Sequence, residues 1–515
     1  VRFNSVAGRS VSVDVGYGES REEAMGHPYL GVKRVLVPPH GVAYGPKSAF
    51  RYVQIVFPDV ASNVKFRSIE AEAIAYPVRY LGSFVSSDSQ LNRIWETGAY
   101  TAHLCMQDSI WDGVKRDRGR WMGDLDVTGR VINDVFADHR LMESTMRELI
   151  GDAPVQRDVN TIAGYSALWI TGLADYYRHS GNRAYLQSLH PRRVELLGVM
   201  DRELDVDGLF ANPEKHKIFV DWSAGFSDDT PEARAATHLE LYLAYQDAAY
   251  LLGELDDTSN AVRYRGQAAR LLAAAHKSLR DATTHTYGTR WQTNAMAIVS
   301  NAAGPDDYAA IWSRVLSEVD NMSPDTPVIT PYYGYYVLSA MARTGHRAEA
   351  LAWMRHVWGG MLDEGATSFW EAYDRRWPKQ DFHRYLEADN KKGYYVSLAH
   401  GWSSGPTAWL MEEILGIHPT AAGFREVSIR PDLAGLAWAE GGEPTPRGKI
   451  AVSIHPGFTR ITIPRGTLAR VLLPVDGPGH TVLSNGRAVP SSPAEGGTRA
   501  LIELRQAGRY ELRQR

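Results

Sequence analysis

Apolar and polar positions alternate along the first part of the chain, up to about residue 85. Runs such as SVSVDVGYGE, RVLVPP and RYVQIVFPD place apolar residues at every second position, and Gly, Pro, Asn and Asp separate the runs. A two-residue period of this kind is typical of β-strands with one buried face. The first run begins so close to Val1 that we expect a β-sandwich without its opening strands.

The same alternation returns from about residue 423 to the end of the chain. Runs such as EVSIRP, KIAVSI and ARVLLPV have the strand period. The dipeptide Asn485–Gly486 is typical of a two-residue hairpin turn, because both residues tolerate a positive φ. We therefore predict a second β-sandwich over residues 423–515.

The long zone between these two regions has a helical period. Its first segment places apolar residues at Leu91, Ile94, Trp95 and Ala99, which share one face of a helix. Short Gly-centred turns join several of the later segments, and such turns are typical of αα-hairpins. Further helices are predicted over residues 126–150, 161–180, 184–204, 231–255, 259–280, 305–319, 330–344, 347–362 and 400–416.

Ten or eleven countable helices in this zone fit a barrel of six helical hairpins. We therefore predict a mainly α fold, in which an (α/α)6 barrel over residues 86–422 is flanked by N-terminal and C-terminal β-sandwich domains over 1–85 and 423–515. The alternative is a helical-repeat solenoid. It fits less well because the zone has no fixed repeat period.

Composition excludes several classes of function. The net charge of −4 gives no electrostatic case for binding nucleic acid or an anionic membrane, and no apolar run approaches the ~20 residues of a membrane span. Cys105 is the single cysteine, so an intramolecular disulfide is excluded. With no signal peptide at the start of this chain, we expect a cytoplasmic rather than a secreted protein, either a monomer or a homodimer.

The segment DGVKRDRGRWMGD, residues 112–124, concentrates acidic and basic residues beside tryptophan and glycine. One interpretation is a buried network of ion pairs that holds a loop. The other is a polar site walled by aromatic rings. Thirteen of the fourteen tryptophans lie in the helical zone, many of them beside Asp, Glu or Gly. Because indole rings pack on the apolar faces of sugars while carboxylates accept from hydroxyls, this pattern favours a carbohydrate site.

Hydrolysis of a glycoside needs two carboxyl groups that flank the scissile bond. Glu371 in the run GATSFWEAYD is one candidate, with Asp374 close by, whereas Glu364 is a competitor at a predicted helix end. The charged segment offers three more, Asp112, Asp117 and Asp124. There is no HExxH or CxxC motif and no phosphate-binding glycine loop, so we expect neither a metal nor a cofactor.

Several of these runs together resemble glycoside hydrolase family 78, the inverting α-L-rhamnosidases. The charged segment is similar to the family's acidic active-site segment, and GATSFWEAYD is similar to its G-x-T-x-x-W-E motif. The run SLAHGWSSGPTAWL resembles its S-L-x-H segment, and GFREVSIRPDL resembles the opening of its terminal β-domain. These motifs occur in the family's order between about residues 80 and 450.

The resemblance implies an enzyme that removes terminal, non-reducing α-L-rhamnose from rhamnosides or oligosaccharides with inversion. Its general acid falls on Asp117, where many members have Glu, and its general base falls on Glu371. Carboxyl groups ~6.5 to 9.5 Å apart would suit that mechanism. Three arginines, Arg116, Arg118 and Arg120, would hold the carboxylates. The expected substrate-binding residues are Asp112, Arg116, Trp121, Asp124, Trp222, Trp370 and His400.

Three other functions remain open at this stage. One is an α/α-barrel glycosidase with another sugar specificity, another is a polysaccharide lyase, and the third is a non-catalytic carbohydrate-binding protein. If the glycosidase hypothesis is right, residues 112–124 and 365–374 should meet at one rim of the barrel.

Overall fold

The computed structural model describes residues 1–59, 64–317, 329–376, 394–477 and 481–515. Its N-terminal part holds the predicted strands in two antiparallel sheets of three strands each, with the short helix Arg21–Met25 after the second strand. Buried residues such as Phe3, Val13 and Val37 form a small hydrophobic core of their own. In spatial order the strands are Val42–Tyr44, Arg2–Ser5 and Phe66–Glu70 in one sheet, and Lys33–Val37, Val11–Gly18 and Tyr52–Val56 in the other.

The described part of the helical zone contains twelve long helical runs, four of which include π-helical turns, and the short helix Arg183–Ser188. No helix among the described residues is long and apolar enough to cross a membrane. The runs are Ser89–Cys105, Met122–Val131 with Ile132–Phe136, His139–Ile150, Ala163–Ser180, His190–Arg202, Pro231–Glu254, Thr258–Ser278, Trp291–Val299, Pro305–Ile311 with Trp312–Leu316, Pro331–Arg343, Arg347–Met354 with Arg355–Gly359 and Gly360–Asp363, and Gly405–Trp409 with Leu410–Leu415.

Every second run along the chain belongs to one closed ring of contacts. Each run of this ring touches the next, and the last touches the first. Each of the other six runs packs on a member of the ring, which gives the pairwise arrangement of helical hairpins. The ring consists of the runs that begin at Met122, Ala163, Pro231, Trp291, Pro331 and Gly405.

Three details of the predicted helices are wrong. The segment 184–204 is two helices, Arg183–Ser188 and His190–Arg202, separated at Leu189. The segment 126–150 is not one helix, because Ala137 adopts a left-handed conformation with φ of 49° and the side chain of Asp138 then caps a new helix at the N–H of Arg140. The helix Trp291–Val299 was not predicted. It is buried along almost its whole length, so it has no polar face to produce a periodic pattern.

The C-terminal part contains two sheets, of seven and five strands. The predicted hairpin turn is present, with φ of 51° at Asn485 and 80° at Gly486. Apolar residues of both sheets share one continuous core with the helices. In spatial order the strands are Arg487–Ala488, Val482–Ser484, Gly508–Gln514, Phe458–Ile463, Gly448–His455, Ala439–Thr445 and Ser83–Ser86, then Ser492–Ala494, Arg499–Leu504, Leu468–Pro474, Glu426–Ile429 and Ile417–Pro419.

The strand Ser83–Ser86 pairs with Ala439–Thr445 and therefore belongs to the C-terminal sheet. The chain thus contributes one strand to this sheet before it enters the helices and returns to it afterwards. A boundary at residue 85 does not coincide with a change of sheet.

Candidate active site

The charged segment 112–124 begins with a loop whose backbone is hydrogen-bonded to the side chain of Asp112. One carboxylate oxygen of Asp112 accepts from the N–H of Asp117 at 3.0 Å, and the other accepts from the N–H of Gly119 at 2.8 Å. Asp112 is buried, and burial raises the pKa of its carboxyl group. The loop leads directly into the helix at Met122, whose first turn carries Asp124.

Arg116 contacts both Asp117 and Glu371, the two carboxylates that the family resemblance predicts to be catalytic. Its Nη2 donates to both carboxylate oxygens of Glu371, and its Nη1 lies 3.5 Å from Oδ1 of Asp117. The guanidinium is held in turn by Tyr395, whose carbonyl oxygen accepts from Nε at 2.8 Å and whose ring centroid lies 3.7 Å from Cζ. The structure therefore brings residues 112–124 and 365–374 together at one guanidinium.

Glu371 is buried and fixed in place. Besides the bonds from Arg116, its Oε2 accepts from the N–H of Ser397 at 2.9 Å. Burial alone would raise the pKa of the Glu371 carboxyl, but the charges of His400 and Arg116 outweigh burial and hold this pKa below its usual value. Glu371 is therefore ionised at neutral pH, as a general base must be.

Asp117 has a different environment. Its side chain is 54% exposed, compared with 2% for Glu371. Its carboxylate faces solvent beside Arg116, while its backbone N–H is bonded to Asp112. One guanidinium thus touches an exposed carboxylate and a buried one.

Asp124 and His400 form a buried pair next to Glu371. The Nε2 atom of His400 lies 3.0 Å from Oδ1 of Asp124. Burial raises the pKa of Asp124 to about 6. Burial also opposes the charge on His400, but the carboxylates of Glu371 and Asp124 outweigh it and raise the pKa of His400 to about 9. At neutral pH the pair is an imidazolium beside a carboxylate.

The other nitrogen of His400, Nδ1, has no hydrogen-bond partner among the described residues, although it is buried. The backbone of Gly113 lies close to this nitrogen. A Cβ atom at position 113 would lie 2.8 Å from Nδ1 and 2.8 Å from the carbonyl oxygen of Arg116. The loop can therefore approach the imidazole only with glycine at this position.

Two of the predicted tryptophans stand at the ends of one series of aromatic rings. The rings of Trp121, Tyr165, Phe219 and Trp222 follow one another with centroids 6.5, 6.0 and 4.9 Å apart. Trp222 is 39% exposed, so its ring is available to a ligand. Tyr165 packs on the helix turn of Asp124, where a Cβ atom at Gly123 would lie 2.6 Å from its hydroxyl oxygen.

Trp402 and Tyr332 belong to the site and were missed by the sequence analysis. The indole N–H of Trp402 donates to the carbonyl oxygen of Glu371 at 2.9 Å. Its ring stacks on Tyr332 at 5.0 Å and lies 4.5 Å from the ring of His400. Trp402 stands two residues after His400 in the run SLAHGWSSG, so a signal for it was available. Tyr332, 70 residues earlier, had none.

Trp370 is placed differently from the other predicted binding residues. It lines a cavity of about 1100 Å³ between the N-terminal strands and the helices, together with the competitor Glu364. Glu371 follows it directly in the chain and points to Arg116 instead. Asp374 also lies apart from this pair and accepts from Nε of Arg376 at 2.9 Å.

The remaining cations of the charged segment have structural partners. Lys115 is buried and lies 3.1 Å from Glu19 and 3.6 Å from Glu23, both in the N-terminal part. Arg120 pairs with Glu148 at 3.0 Å, and Arg118 donates to the carbonyl oxygen of Val114. Of the three arginines expected to hold the carboxylates, Arg116 is the one that does so.

The helical zone also matches a family model. Residues 79–414 match the bacterial alpha-L-rhamnosidase 6 hairpin glycosidase domain, which is more than half of the chain. The chain belongs to this family. Residues 416–487 match the bacterial alpha-L-rhamnosidase C-terminal domain. The resemblance to glycoside hydrolase family 78 found in the sequence is thereby confirmed.

Individual relatives agree with this assignment. An alpha-L-rhamnosidase of Alteromonas sp. is 30% identical over 460 residues, which cover 82% of this chain and 48% of the relative. One from Streptomyces avermitilis is 24% identical over 472 residues, which cover 85% of this chain and 43% of the relative. The chain thus spans less than half the length of these curated relatives.

A solved structure shows the same fold. The crystal structure of the GH78 family rhamnosidase of Bacillus sp. GL1 superimposes with a TM-score of 0.74 and 24% sequence identity. The matched region covers 88% of this chain and 48% of the other.

Proposed function

We propose that this chain is an inverting α-L-rhamnosidase that removes terminal, non-reducing α-L-rhamnose from a glycoside or oligosaccharide. The observation that carries the proposal is the contact of one guanidinium, that of Arg116, with both Asp117 and Glu371 inside the family's hairpin domain. Two carboxylates that one planar group can reach are close enough to act on opposite sides of a single bond.

In the proposed reaction the two carboxyl groups have separate tasks. Asp117 donates its proton to the glycosidic oxygen as the bond from this oxygen to the anomeric carbon breaks. A water molecule attacks the anomeric carbon from the opposite face while Glu371 accepts the proton of that water. The lowered pKa of Glu371 supports its role as the base, because the carboxylate is ionised before the substrate arrives.

We propose that the buried pair next to Glu371 binds the sugar. The free Nδ1 of His400 donates to a hydroxyl group, and Asp124 accepts from one. Asp112 acts as a positioning residue, because both of its oxygens already hold the loop that carries Asp117. The rings of Trp121, Trp222 and Trp402 provide the apolar wall for the C6 methyl group.

We propose an (α/α)6 barrel over residues 86–422, flanked by N-terminal and C-terminal β-sandwich domains over 1–85 and 423–515, with the strand Ser83–Ser86 contributed to the C-terminal sheet. The closed ring of six contacting helical runs, each with a second run packed on it, supports the barrel. The paired sheets at both ends of the chain support the sandwiches.

The test is a comparison of 4-nitrophenyl glycosides as substrates for the purified chain. We expect release of nitrophenol from the α-L-rhamnoside well above release from any other pyranoside. A preference for an α-glucoside or α-mannoside would leave the family's fold and overturn the proposed specificity. A rise in absorbance near 235 nm on a polysaccharide would indicate a lyase, and binding without turnover would indicate a carbohydrate-binding protein.

A further inference from the structure

Three buried side chains meet where the helices join the C-terminal sheet. Asp134 lies in the π-helical turn that follows the helix Met122–Val131, His179 lies near the end of the helix Ala163–Ser180, and Glu443 lies in the strand Ala439–Thr445. Their exposed fractions are 2%, 6% and 1%. One atom of each lies within 4.8 Å of the others.

The distances in this cluster are those between neighbouring ligands of a metal ion. His179 Nε2 lies 3.5 Å from Asp134 Oδ1 and 3.3 Å from Glu443 Oε1. Zinc binds nitrogen and carboxylate oxygen at ~2.0 to 2.2 Å in a tetrahedral arrangement, which places neighbouring ligand atoms about 3.4 Å apart. Both distances from His179 Nε2 match this spacing, and the carboxylate oxygens of Asp134 and Glu443 lie within 4.8 Å of each other.

A second cluster in the same chain provides the contrast. There His216 Nδ1 lies 2.6 Å from Asp158 and 2.9 Å from Glu203. These are the distances of hydrogen bonds from a protonated nitrogen to two carboxylates, and they are too short for two atoms bound to one metal ion. The first cluster thus has the spacing of metal ligands, whereas the second has the shorter spacing of hydrogen bonds.

The other nitrogen of His179 fixes the chemistry of the first cluster. Its Nδ1 lies 2.8 Å from the carbonyl oxygen of Asp175, and because a carbonyl only accepts, Nδ1 carries the hydrogen. In the neutral imidazole the lone pair of Nε2 then faces the two carboxylates. Metal-binding histidines typically have this arrangement, with the far nitrogen donating to a backbone carbonyl.

Two carboxylate oxygens of the cluster are left without a hydrogen bond. Among the described residues, Asp134 Oδ2 and Glu443 Oε1 have no hydrogen-bond partner, although both are buried. Glu443 Oε1 is near His179 Nε2 but lies outside hydrogen-bond geometry. A buried carboxylate oxygen without a hydrogen bond is costly, and a cation bound by both carboxylates would lower that cost.

We propose that Asp134, His179 and Glu443 bind one divalent transition-metal ion of the Zn²⁺ type. An imidazole ligand favours such an ion over Ca²⁺ or Mg²⁺, which prefer oxygen ligands throughout. The ion joins the helical hairpins to the C-terminal sheet, so its role is structural.

This ion would lie away from the proposed catalytic residues. Asp124 and Asp134 are ten residues apart in one continuous helical run, which corresponds to about 15 Å along its axis. Tyr165 and His179 are likewise near opposite ends of the helix Ala163–Ser180. The metal cluster and the substrate site therefore lie at opposite ends of these two helices.

The first experiment measures metal in the full chain as purified, without a chelator. We expect close to one zinc ion per chain by mass spectrometry, and a thermal unfolding midpoint that falls by several degrees after treatment with dipicolinic acid and recovers when Zn²⁺ is added. Cobalt added to the stripped chain should give the intense visible absorption of tetrahedral Co²⁺. Absence of bound metal together with an unfolding midpoint that neither chelator nor Zn²⁺ changes would overturn the proposal.

The second experiment compares three variants in which the side chain is replaced by glutamine. Glu443→Gln should lose the bound metal and the response to chelator. The matched control is Glu412→Gln, a nearby half-buried acid that accepts from the hydroxyl group of Tyr335 at 2.7 Å and should keep both. His216→Gln should also keep them, because its cluster is hydrogen-bonded. Metal that stays in Glu443→Gln, or leaves in His216→Gln, would contradict the assignment. If Glu443→Gln does not fold, the metal content and cobalt spectrum of the unaltered chain decide.

Discussion

Asp117 and Glu371 touch the same guanidinium and have opposite surroundings. Glu371 is buried and receives hydrogen bonds from Arg116 and from the N–H of Ser397. Asp117 is half exposed, and its carboxylate has the longer contact to Arg116. In the proposed reaction this difference means that the base is ionised before the substrate binds, whereas the substrate completes the environment of the acid.

The largest loss of activity should come from substitution of Glu371, the buried carboxylate. Glu371→Gln removes the group that accepts the proton of water, so hydrolysis should slow by roughly 10²- to 10⁴-fold on every rhamnoside, whatever its leaving group. Steady-state rates on a nitrophenyl and an alkyl rhamnoside measure this loss, and added azide should partly restore turnover because it attacks without a base. Glu364→Gln is the matched control and should keep nearly full activity, since Glu364 lines the cavity between the N-terminal strands and the helices and does not contact Arg116 in the described part of the chain.

Substitution of Asp117, the exposed carboxylate, should slow different substrates to different extents. Asp117→Asn removes protonation of the leaving group, so alkyl rhamnosides should slow by roughly 10²- to 10⁴-fold, whereas a nitrophenolate leaves with little help and should lose much less. The ratio of the two losses in kcat is the measurement. Equal losses would remove Asp117 as the acid and leave Asp112 and Asp124 as the next candidates.

The variant Arg116→Gln tests the contact of this guanidinium with Asp117 and Glu371. The guanidinium helps His400 to hold the pKa of Glu371 below its usual value, so its removal should raise that pKa. The base is then ionised only at higher pH, and the acidic limb of the profile of kcat/KM against pH should move upward. Activity at neutral pH should fall by roughly 10- to 100-fold, because the two carboxylates also lose their alignment.

Arg120→Gln is the control for that variant. It removes the same charge from the same segment, but Arg120 pairs with Glu148 on the surface. Its pH profile should match that of the unaltered chain. A shift of the acidic limb in Arg120→Gln equal to that in Arg116→Gln would show a general charge effect and contradict the specific contact.

The smallest effect should come from the exposed aromatic wall. Trp222→Ala removes a half-exposed ring, so KM should rise by roughly 3- to 10-fold while kcat stays nearly constant, as expected when binding of the substrate and the transition state weakens equally. Steady-state kinetics on the nitrophenyl rhamnoside separate the two constants. A fall in kcat with KM unchanged would place Trp222 in the chemical step instead.

Much of the fold follows from local patterns. Amphipathic periods marked most helices, and alternation marked the strands at both ends of the chain. The errors arose where the decisive feature was not periodic. The left-handed Ala137 breaks a helix without a glycine or proline, and the helix Trp291–Val299 has no polar face. The pairing of Ser83–Ser86 with a strand more than 350 residues later has no local signal.

The site could be predicted only as candidate residues. The family motifs supplied Asp117, Glu371 and His400, since each motif is a local string. The contacts between them join distant residues, as in the pairing of Arg116 with Glu371 across 255 positions. Adjacent residues of an extended segment face opposite ways, so Trp370 lines the cavity beside the N-terminal strands while Glu371 points to Arg116. The sequence does not indicate which of the two residues faces which way.

The stereochemical course of the reaction tests the central proposal most directly. Proton NMR of 4-nitrophenyl α-L-rhamnoside, recorded within the first minutes of hydrolysis by the unaltered chain, identifies the first sugar released before it mutarotates. A base that activates water on the face opposite the leaving group predicts β-L-rhamnose first, with the α-anomer appearing later. Initial release of α-L-rhamnose would mean retention and would contradict the assignment of Glu371 as the base of an inverting reaction.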